Sequence, residues 1–508
     1  MIPATLLCDF YKISHREQYP PGTEIVYSTW TPRSNHYHPT ANAVVVFGLQ
    51  AFVKKYLIEY FNQNFFERPV NEVLSEYRRV IMHTLGIKFP STDHLKELHM
   101  LGYLPIKIRA LHEGTMVPIR VPMLTIQNTD ARFFWLTNFL ETLLSAELWL
   151  PSTSATIAKE YRDILVQWAE YTGGDPSFIS FQGHDFSMRG MACVEAAASS
   201  GAGHLLSFVG TDTIPAICHL EQYYHADIEN ETVGTSIPAT EHSVMCAGGY
   251  GDREYRTYRR LITEIYPSGM VSIVSDTWNL WDCVDLIIRD LKDEIMARDG
   301  RVVIRPDSGD PVKIICGDET ASNRIAKKGM VEALWDIFCG TKTDRGFKVL
   351  DPHIGVIYGD SITLDRCERI CAGLAAKGFA STNVVLGIGS YTYQYNTRDT
   401  FGFALKSTMC VIDGEERKIF KDPVTDDGTK KSNTGIVAVV KRDDGILTCI
   451  DNLPFDHDAK DKMRDVFVDG ELLVDDSLLL IRSRMALNGI LYKSQLLDQH
   501  IDRFGQVA

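Results

Sequence analysis

The chain has 508 residues, of which 45% are hydrophobic and 23% are charged, and this ordinary globular composition excludes a disordered or fibrous protein. Its 52 Lys and Arg residues against 66 Asp and Glu residues give a net charge of −14 and, without a local basic patch, argue against nucleic acid as a partner. The longest apolar runs, such as 43–47 and 478–481, are far shorter than the roughly 20 residues of a membrane helix, so we expect no membrane partner.

The cysteines and the N-terminal segment bear on location. The chain has 11 cysteines, an odd number without a C-x-x-C pair, and no basic region precedes Asp9. Reduced thiols and the lack of a secretory leader are typical of a cytoplasmic protein, which is our expectation.

The first 150 residues predict an α+β region. Apolar runs suited to strands occur at 25–30, 44–49, 106–110 and 115–120, with helical stretches at 50–62 and 72–85.

From about residue 200 to 390 one pattern repeats: an apolar run, then a polar Gly, Ser, Asp or Thr cluster, then a helix-like stretch. The apolar runs are 205–209, 271–274, 302–304, 355–358 and 384–386. The pattern predicts β-α units of a parallel, TIM-like irregular α/β barrel, whose active site would be built at the carboxyl ends of the strands.

Four aspartates follow these runs, namely Asp212, Asp276, Asp307 and Asp360. A single aspartate at such a position can simply cap the next helix. Four of them at one edge favour a site for Mg²⁺ or sugar hydroxyls.

After residue 400 short strands return at 403–412, 436–441 and 445–450, separated by Asp-Gly turns. We expect them to join the N-terminal region. The predicted domains are therefore an α+β domain of residues 1–150 with 395–508 and a catalytic α/β barrel of residues 151–394.

The segment 183–190 combines an aromatic ring with a cation between glycines. Phe186 could stack on a planar ring while Arg189 binds an anion; alternatively, Phe186 is a core residue and Arg189 pairs with Asp185.

Two further segments carry chemistry. In 236–243, His242 follows Glu241 and is a candidate for acid-base or phosphoryl-acceptor work, although an isolated histidine is more often a packed or surface residue. The loop 305–311 holds a cation, two Asp carboxylates flanking Gly309, and two prolines, which suits a rigid ligand-binding loop or a tight turn.

Weaker signals point to phosphate. Gly389, in a glycine-rich turn, offers backbone N–H groups to an anion. The basic residues Arg398, Lys406, Lys421 and Lys430 are either phosphate ligands or solvated surface. The P-loop, the Rossmann glycine motif, H-E-x-x-H and G-x-S-x-G are absent from the sequence, which disfavours those chemistries.

Taken in order, these motifs closely resemble the nicotinamide phosphoribosyltransferase family, the type II phosphoribosyltransferases related to nicotinate phosphoribosyltransferase. The resemblance runs over nearly the whole chain and rests on these segments: 9–12, 183–190, 210–213, 236–243, 274–276, 304–311, 359–360 and 420–423. It implies transfer of a phosphoribosyl group from phosphoribosyl pyrophosphate to nicotinamide in NAD salvage, stimulated by ATP, with Mg²⁺, in a homodimer whose active sites lie at the subunit interface.

The resemblance also implies residue roles. Phe186 and the partner subunit's Tyr11 would stack on the nicotinamide ring, and Asp212 would accept a hydrogen bond from the carboxamide. The remaining substrate-binding residues would be Arg189, Ser236, Ser272, Gly359, Asp360, Gly389, Ser390 and Arg398. The catalytic set would be His242, Asp276, Asp307 and Arg305, with His242 transiently phosphorylated by ATP and backed by Asp276.

Pyrophosphate or ATP phosphates would be bound by Arg33, Lys406, Lys421 and Lys430, of which Arg33 and Lys406 would come from the other subunit. No metal ligand is assigned. The sequence departs from the family pattern where Ser390 and Tyr391 replace expected glycines, and where an offset near Lys430 affects its alignment.

Two alternatives stay open: a nicotinate phosphoribosyltransferase, disfavoured by the negative charge of Asp212, and an inert mononucleotide-binding protein, disfavoured by the presence of His242 with Asp276, Arg305 and Asp307.

Overall fold

The computed structural model describes residues 2–88, 90–421 and 432–486. The chain divides into two compact units. The terminal unit consists of Met1–Thr156, His219–Ala226 and Asn396–Ala508, and the central unit of Ile157–Cys218 and Asp227–Tyr395.

The strands are, in chain order, β1 Thr23–Thr31, β2 Ala43–Val45, β3 Ile106–Ala110, β4 Met116–Pro118, β5 Leu124–Asn128, β6 Gly183–Asp185, β7 Gly210–Thr211, β8 Ser268–Val274, β9 Asp299–Arg305, β10 Gly340–Lys342, β11 Lys348–Leu350, β12 Ile354–Tyr358, β13 Val384–Ile388, β14 Ala404–Ile412, β15 Glu415–Lys418, β16 Ile436–Lys441, β17 Leu447–Leu453, β18 Arg464–Val468 and β19 Glu471–Leu472.

The α-helices are α1 His15–Gln18, α2 Leu49–Phe52, α3 Val70–Leu85, α4 Asp93–Leu101, α5 Leu136–Phe139, α6 Glu141–Thr172, α7 Ile179–Gln182, α8 Val194–His204, α9 Ile214–Tyr224, α10 His242–Gly248, α11 Asp252–Arg260, α12 Leu280–Asp282, α13 Lys292–Met296, α14 Pro311–Cys316, α15 Arg324–Lys328, α16 Met330–Phe338, α17 Leu364–Ala376 and α18 Ser390–Tyr393. Wider π-helical turns occupy Val53–Tyr60, Asn62–Phe66, Leu261–Ile265 and Cys283–Ile288.

In the terminal unit, strands from both ends of the chain form one seven-stranded sheet in the order β15-β14-β1-β5-β3-β18-β19. Strand β3 shows why the sequence pattern suits it: Ile106 and Ile108 are buried, while Lys107 and Arg109 alternate with them and both form ion pairs with Asp465 on β18. This period of two is the one expected for a strand with one face on the core.

Glu113 is a fully buried carboxyl of the terminal unit, and its Oε1 accepts a hydrogen bond from the backbone N–H of Gln50 at 2.7 Å. Burial raises the pKa of Glu113 to about 7. Between about pH 4.5 and pH 7 the folded chain therefore holds a proton that the unfolded chain releases. The free energy of unfolding should fall as the pH rises through this window, by roughly 1.4 kcal/mol per pH unit for this group.

We predict that Glu113→Gln removes this contribution, because the amide keeps the acceptor for Gln50 but does not ionise. The melting temperature of the variant should fall less than that of the wild type as the pH rises from about 5 to 7. Thermal unfolding at several pH values measures the difference, with the exposed Glu97→Gln as the control. Parallel pH profiles for the wild type and Glu113→Gln would contradict the prediction.

In the central unit, six parallel strands form a sheet in the order β7-β6-β13-β12-β9-β8. The middle strands are continuously apolar because both faces are covered, as Ile304, Val356 and Leu386 illustrate with at most 2% exposure. Isolated parallel bridges join Gly210 to Thr235 and Ala239 to Ser272. The coarse prediction of an α/β protein with a parallel sheet is confirmed.

One predicted strand is wrong. Residues 205–209 are not a strand: they follow α8 as turns, and β7 begins only at Gly210. Leu205, Leu206 and Phe208 are nevertheless buried, with at most 6% exposure. A short apolar run is compatible with either arrangement, so periodicity alone could not separate them.

Within the part of the chain that the structure describes, no helix combines the length and the apolar character needed to cross a membrane.

Candidate active site

Most of the predicted site residues lie at one edge of the parallel sheet of the central unit. Asp212 follows β7, Asp276 follows β8 after one residue, and Arg305 ends β9. Gly359 and Asp360 follow β12, and Gly389 follows β13. The carboxyl ends of parallel strands meet at the same edge, so the sheet brings together residues that are far apart in sequence.

His242 faces two carboxylates. Its Nε2 lies 3.2 Å from Oδ1 of Asp276 and 3.7 Å from Oδ1 of Asp307. The histidine side chain is 43% exposed, whereas that of Asp276 is 7% exposed. Because a carboxylate only accepts hydrogen bonds, the bond to Asp276 requires a proton on Nε2 and leaves the Nδ1 lone pair of a neutral ring available.

Asp276 connects the histidine to the loop after β9. Its Oδ2 accepts the backbone N–H groups of Asp307 at 3.0 Å and Ser308 at 2.8 Å. Burial opposes ionisation of Asp276, but these bonds and the one from His242 hold the pKa of its carboxyl below the usual range. Burial and the neighbouring Asp276 raise the pKa of Asp307 instead. The pair therefore consists of one anchored anion and one carboxyl that ionises less readily.

Arg305 sits among these carboxylates. Its Nη2 donates a hydrogen bond to the carbonyl of Thr240. Burial lowers the pKa of the Arg305 guanidinium, and the charges of Asp307 and Asp212 act in the opposite direction. Gly359 leaves room for this arrangement, since a Cβ there would lie 3.1 Å from Cβ of Asp307 and 3.5 Å from Cδ of Arg305.

A second group surrounds Phe186. The rings of His184 and Phe186 have centroids 4.5 Å apart, inclined at 35°. Oδ1 of Asp212 accepts hydrogen bonds from Nε2 of His184 at 2.9 Å and from Oγ of Ser236 at 2.6 Å. Burial opposes ionisation of Asp212, but these two donors keep the pKa of its carboxyl below the usual range. Gly387 is required beneath the ring, because a Cβ there would lie 2.8 Å from Cδ2 of Phe186.

Sequence reasoning missed His184. A signal existed: His184 and Phe186 are two residues apart at the end of β6, so they share one face.

Ser272 lies within β8 rather than at its end. The residue is 3% exposed, and its Oγ has no hydrogen-bond partner among the described residues. Its backbone N–H donates to the carbonyl of Pro238 at 2.8 Å, and its carbonyl accepts from Thr240.

The loop after β13 is adapted to its serine. Gly389 precedes α18, which begins at Ser390. A Cβ at Gly190 would lie 2.1 Å from Oγ of Ser390, so the glycine makes room for the serine in the place where a glycine was expected. Arg189, in the same turn as Gly190, is exposed. Because Gly190 has no side chain, Ser390 fits without displacing the loop.

The remaining predicted residues belong to the terminal unit. The side chain of Tyr11 is exposed, and Arg398 pairs with Asp399 at 3.4 Å. Nε of Arg33 donates to the carbonyl of Gly402 at 2.9 Å. Lys430 lies outside the described residues.

Lys406 belongs to a group of cations in the terminal unit. Burial lowers the pKa of Lys406; the carboxylate of Glu141 counteracts this, while Arg33, Lys12 and Lys421 lower it further. Lys12 is buried and paired with Glu141. Several positive charges thus surround one carboxylate, an arrangement suited to anions. Sequence reasoning included Arg33, Lys406 and Lys421 but missed Lys12.

One set of side chains has the proximity needed for a metal ion. Ligand atoms of His242, Asp276 and Asp307 all lie within 4.8 Å of one another. Asp276 already accepts three hydrogen bonds, whereas the carboxylate of Asp307 lies 3.7 Å from His242 and has more free acceptor capacity.

The proteins and family models that this chain resembles are nicotinate and nicotinamide phosphoribosyltransferases. Residues 181–471 match the model of the nicotinate phosphoribosyltransferase (NAPRTase) family, and residues 4–108 match that of the nicotinamide phosphoribosyltransferase N-terminal domain. The chain is 52% identical to the nicotinamide phosphoribosyltransferase of Acinetobacter baylyi, over 94% of this chain and 96% of that protein. It is 35% identical to the nicotinamide phosphoribosyltransferase of Xanthomonas campestris pv. campestris, over 85% and 86%.

Two solved structures share the fold. Nicotinate-nucleotide pyrophosphorylase from Pyrococcus furiosus superposes with a TM-score of 0.57 at 14% identity, covering 96% of both chains. Human nicotinic acid phosphoribosyltransferase gives a TM-score of 0.52 at 14% identity, covering 96% of this chain and 94% of that one. The chain therefore belongs to the nicotinate phosphoribosyltransferase family and, within it, to the nicotinamide phosphoribosyltransferases.

Proposed function

We propose that the chain transfers the phosphoribosyl group of phosphoribosyl pyrophosphate to the ring nitrogen of nicotinamide, giving nicotinamide mononucleotide and pyrophosphate for NAD biosynthesis. The observation that carries the choice of nicotinamide is the ionised carboxylate of Asp212, which is hydrogen-bonded to His184, the residue whose ring packs against that of Phe186. Phe186 and the partner subunit's Tyr11 stack on the pyridine ring, and Asp212 accepts a hydrogen bond from the carboxamide N–H. The carboxylate of nicotinate would meet like charge at the same place.

The selectivity prediction follows from Asp212. In Asp212→Asn the amide oxygen still accepts from His184 and Ser236, but the negative charge is lost. We expect the ratio of kcat/KM for nicotinate to that for nicotinamide to rise by about tenfold, since like-charge repulsion is removed. Parallel assays with both substrates measure the ratio, with the exposed Asp299→Asn as the control. A ratio that stays at the wild-type value would contradict the role of Asp212.

The sugar and diphosphate face the carboxylates and cations of the same edge. As the ring nitrogen bonds to the anomeric carbon, the bond to pyrophosphate breaks and positive charge develops on the sugar. Asp307 accepts from a ribose hydroxyl, Arg305 contacts the substrates, and Ser272 lies on the strand beneath them. Arg189, Gly389 and Ser390 hold the ribose phosphate.

Mg²⁺ is implied by the family, and the residues present fit it in part. This cation prefers oxygen ligands and is commonly held by one or two carboxylates together with substrate phosphates. Asp307, with Asp360 after the neighbouring strand, supplies such oxygens, whereas the nitrogen of His242 suits Mg²⁺ poorly. When bound, the ion would neutralise charge on the leaving pyrophosphate.

ATP stimulation is a further part of the proposal. The exposed ring of His242, with Nε2–H held by Asp276, leaves Nδ1 to attack the terminal phosphorus of ATP. The bond from that phosphorus to the bridging oxygen breaks, so ADP leaves and a phosphohistidine remains. Water then takes the phosphoryl group and regenerates the histidine.

The cations of the terminal unit are assigned to phosphates. Arg33, Lys406 and Lys421, together with Arg398 and Lys430, would bind pyrophosphate or ATP in a homodimer in which one chain completes the active site of its partner. Two observations support this assignment. Tyr11 is 58% exposed, and burial together with the neighbouring cations lowers the pKa of Lys406.

We further propose that the parallel sheet belongs to a TIM-like, irregular barrel, with bounds of 151–394 from the sequence. The support is the segment 235–239, which pairs in parallel with edge strand β7 through Thr235 and with the opposite edge strand β8 through Ala239. A cytoplasmic location is supported by the 11 cysteines, all of which are unpaired.

The proposal is tested by product formation from phosphoribosyl pyrophosphate and Mg²⁺ with nicotinamide or nicotinate, each with and without ATP. We expect product from nicotinamide, accelerated by ATP. Product from nicotinate alone would favour a nicotinate phosphoribosyltransferase. Absence of product from both, with nicotinamide mononucleotide still bound, would favour an inert binding protein.

A further inference from the structure

The central unit contains an open cavity of about 800 Å³ whose lining differs from that of the site described above. It lies between the start of α11 and the π-helical turns of Cys283–Ile288, and none of the predicted site residues lines it. Its volume falls within the ~300–1,000 Å³ typical of small-molecule sites. Its size therefore suits an organic ligand.

The lining is strongly acidic. Five carboxylates contribute to it: Asp252, Glu254, Asp282, Asp285 and Asp290. The single cation of the lining, Arg289, is paired with Asp285 at 2.8 Å, and Asp282 accepts from Nδ2 of Asn279 at 2.6 Å. Arg324, outside the lining, also lies 3.7 Å from Asp285. The lining keeps a negative net charge after these pairs are counted, so the cavity favours a cation.

Among the five carboxylates of the lining, Glu254 is the buried one. The residue is only 7% exposed and lines the cavity, and burial and the like charge of Asp282 are the influences on its carboxyl, with no donor or cation of the described residues among them. Burial and the nearby Asp282 raise the pKa of Glu254. A cation bound in the cavity would supply the opposite charge that this carboxylate does not receive from the neighbouring side chains.

The other lining residues distinguish an organic cation from a metal ion. Tyr250 and Tyr255 present rings, and Leu286 and Ile287 present apolar chains, none of which would ligate a metal. Rings attract ammonium groups, and apolar chains pack against methylene groups. Carboxylates spread along a cavity partly lined with apolar groups match a flexible chain bearing several ammonium groups.

We propose that this cavity is a binding site for a small aliphatic polyamine, with Glu254 as the buried carboxylate that pairs with one of its ammonium groups.

The test is calorimetric titration of the full chain with spermidine at low salt. We expect saturable binding at one site, and Glu254→Gln should raise Kd by at least about tenfold because a charge-assisted hydrogen bond is lost. The control is Glu264→Gln, which changes the charge equally at an exposed position of the same unit and should leave Kd unchanged.

A second variant does not depend on the buried residue. Leu286 is 63% exposed and lines the cavity, so Leu286→Lys places an ammonium group of the chain itself there and should weaken spermidine binding without disturbing the core. Unsaturable binding, or equal weakening by Glu254→Gln and Glu264→Gln, would mean general attraction to an acidic chain and would overturn the proposal. Binding of Mg²⁺ or Ca²⁺ that depends on Glu254, without binding of spermidine, would overturn it in favour of a metal site.

Discussion

Replacing His242 by Ala should remove nearly all of the ATP-dependent increase in the rate of nicotinamide mononucleotide formation. The imidazole is the nucleophile proposed to accept the phosphoryl group, and it is partly exposed, so its loss should leave the fold intact. We expect the ATP-dependent increment to fall on the order of 10²-fold, and the rate without ATP to change by less than about threefold. Initial rates with and without ATP measure both quantities.

A matched histidine provides the control. His353 of the central unit forms a His-Asp pair with Asp351, with a nitrogen-to-oxygen distance of 2.7 Å. The pair precedes β12, at the end of that strand opposite to Gly359 and Asp360. His353→Ala should preserve ATP stimulation. If His242→Ala keeps the wild-type response to ATP, the phosphohistidine step is wrong, whereas an equal loss of both rates would indicate that the histidine acts in the transfer itself.

Asp276→Asn should damage both activities, in contrast to His242→Ala. The two oxygens of Asp276 accept from Nε2 of His242 and from the backbone N–H groups of Asp307 and Ser308. An amide has only one accepting oxygen and no negative charge. If that oxygen faces His242, the NH₂ group meets the backbone N–H groups of Asp307 and Ser308 and displaces the loop; if it faces the loop, the NH₂ group requires the other neutral tautomer of His242. Because the hydrogen bonds of the loop to an anion are lost in both arrangements, we expect kcat/KM to fall on the order of 10²-fold even without ATP.

The corresponding control is Asp351→Asn, which alters the other His-Asp pair of the central unit. Rates should stay near those of the wild type in this variant, and a thermal melt should separate loss of activity from loss of folding in Asp276→Asn. A folded Asp276→Asn protein with the wild-type rate without ATP would show that the two backbone hydrogen bonds do not position the loop for transfer.

The positions of the polar residues after the parallel strands were predictable from the sequence. Asp212, Asp276, Asp307 and Asp360 follow strands of one parallel sheet, and such strands bring their carboxyl ends to one edge. Helix α17 occupies residues 364–376, where apolar residues recur at three and four positions. Local pattern and strand direction are sufficient for these features.

What could not be predicted depends on contacts between distant segments. The pairing of Asp276 with the N–H groups of residues 307 and 308, and the hydrogen bond from His184 to Asp212, depend on which strands are neighbours. The apolar run 205–209 resembles a strand because burial in a turn and burial in a sheet select the same residue types. The roles of the site residues remain predictions.

The close approach of Gly190 and Ser390 couples the side chains that the two positions can carry. A side chain at position 190 would occupy the space of the Ser390 hydroxyl, so the two positions cannot both carry one. Substitution must therefore follow an order, in which position 390 becomes glycine before position 190 acquires a side chain. Positions 200 residues apart thus form one epistatic pair, and in this family a gain at one should accompany a loss at the other.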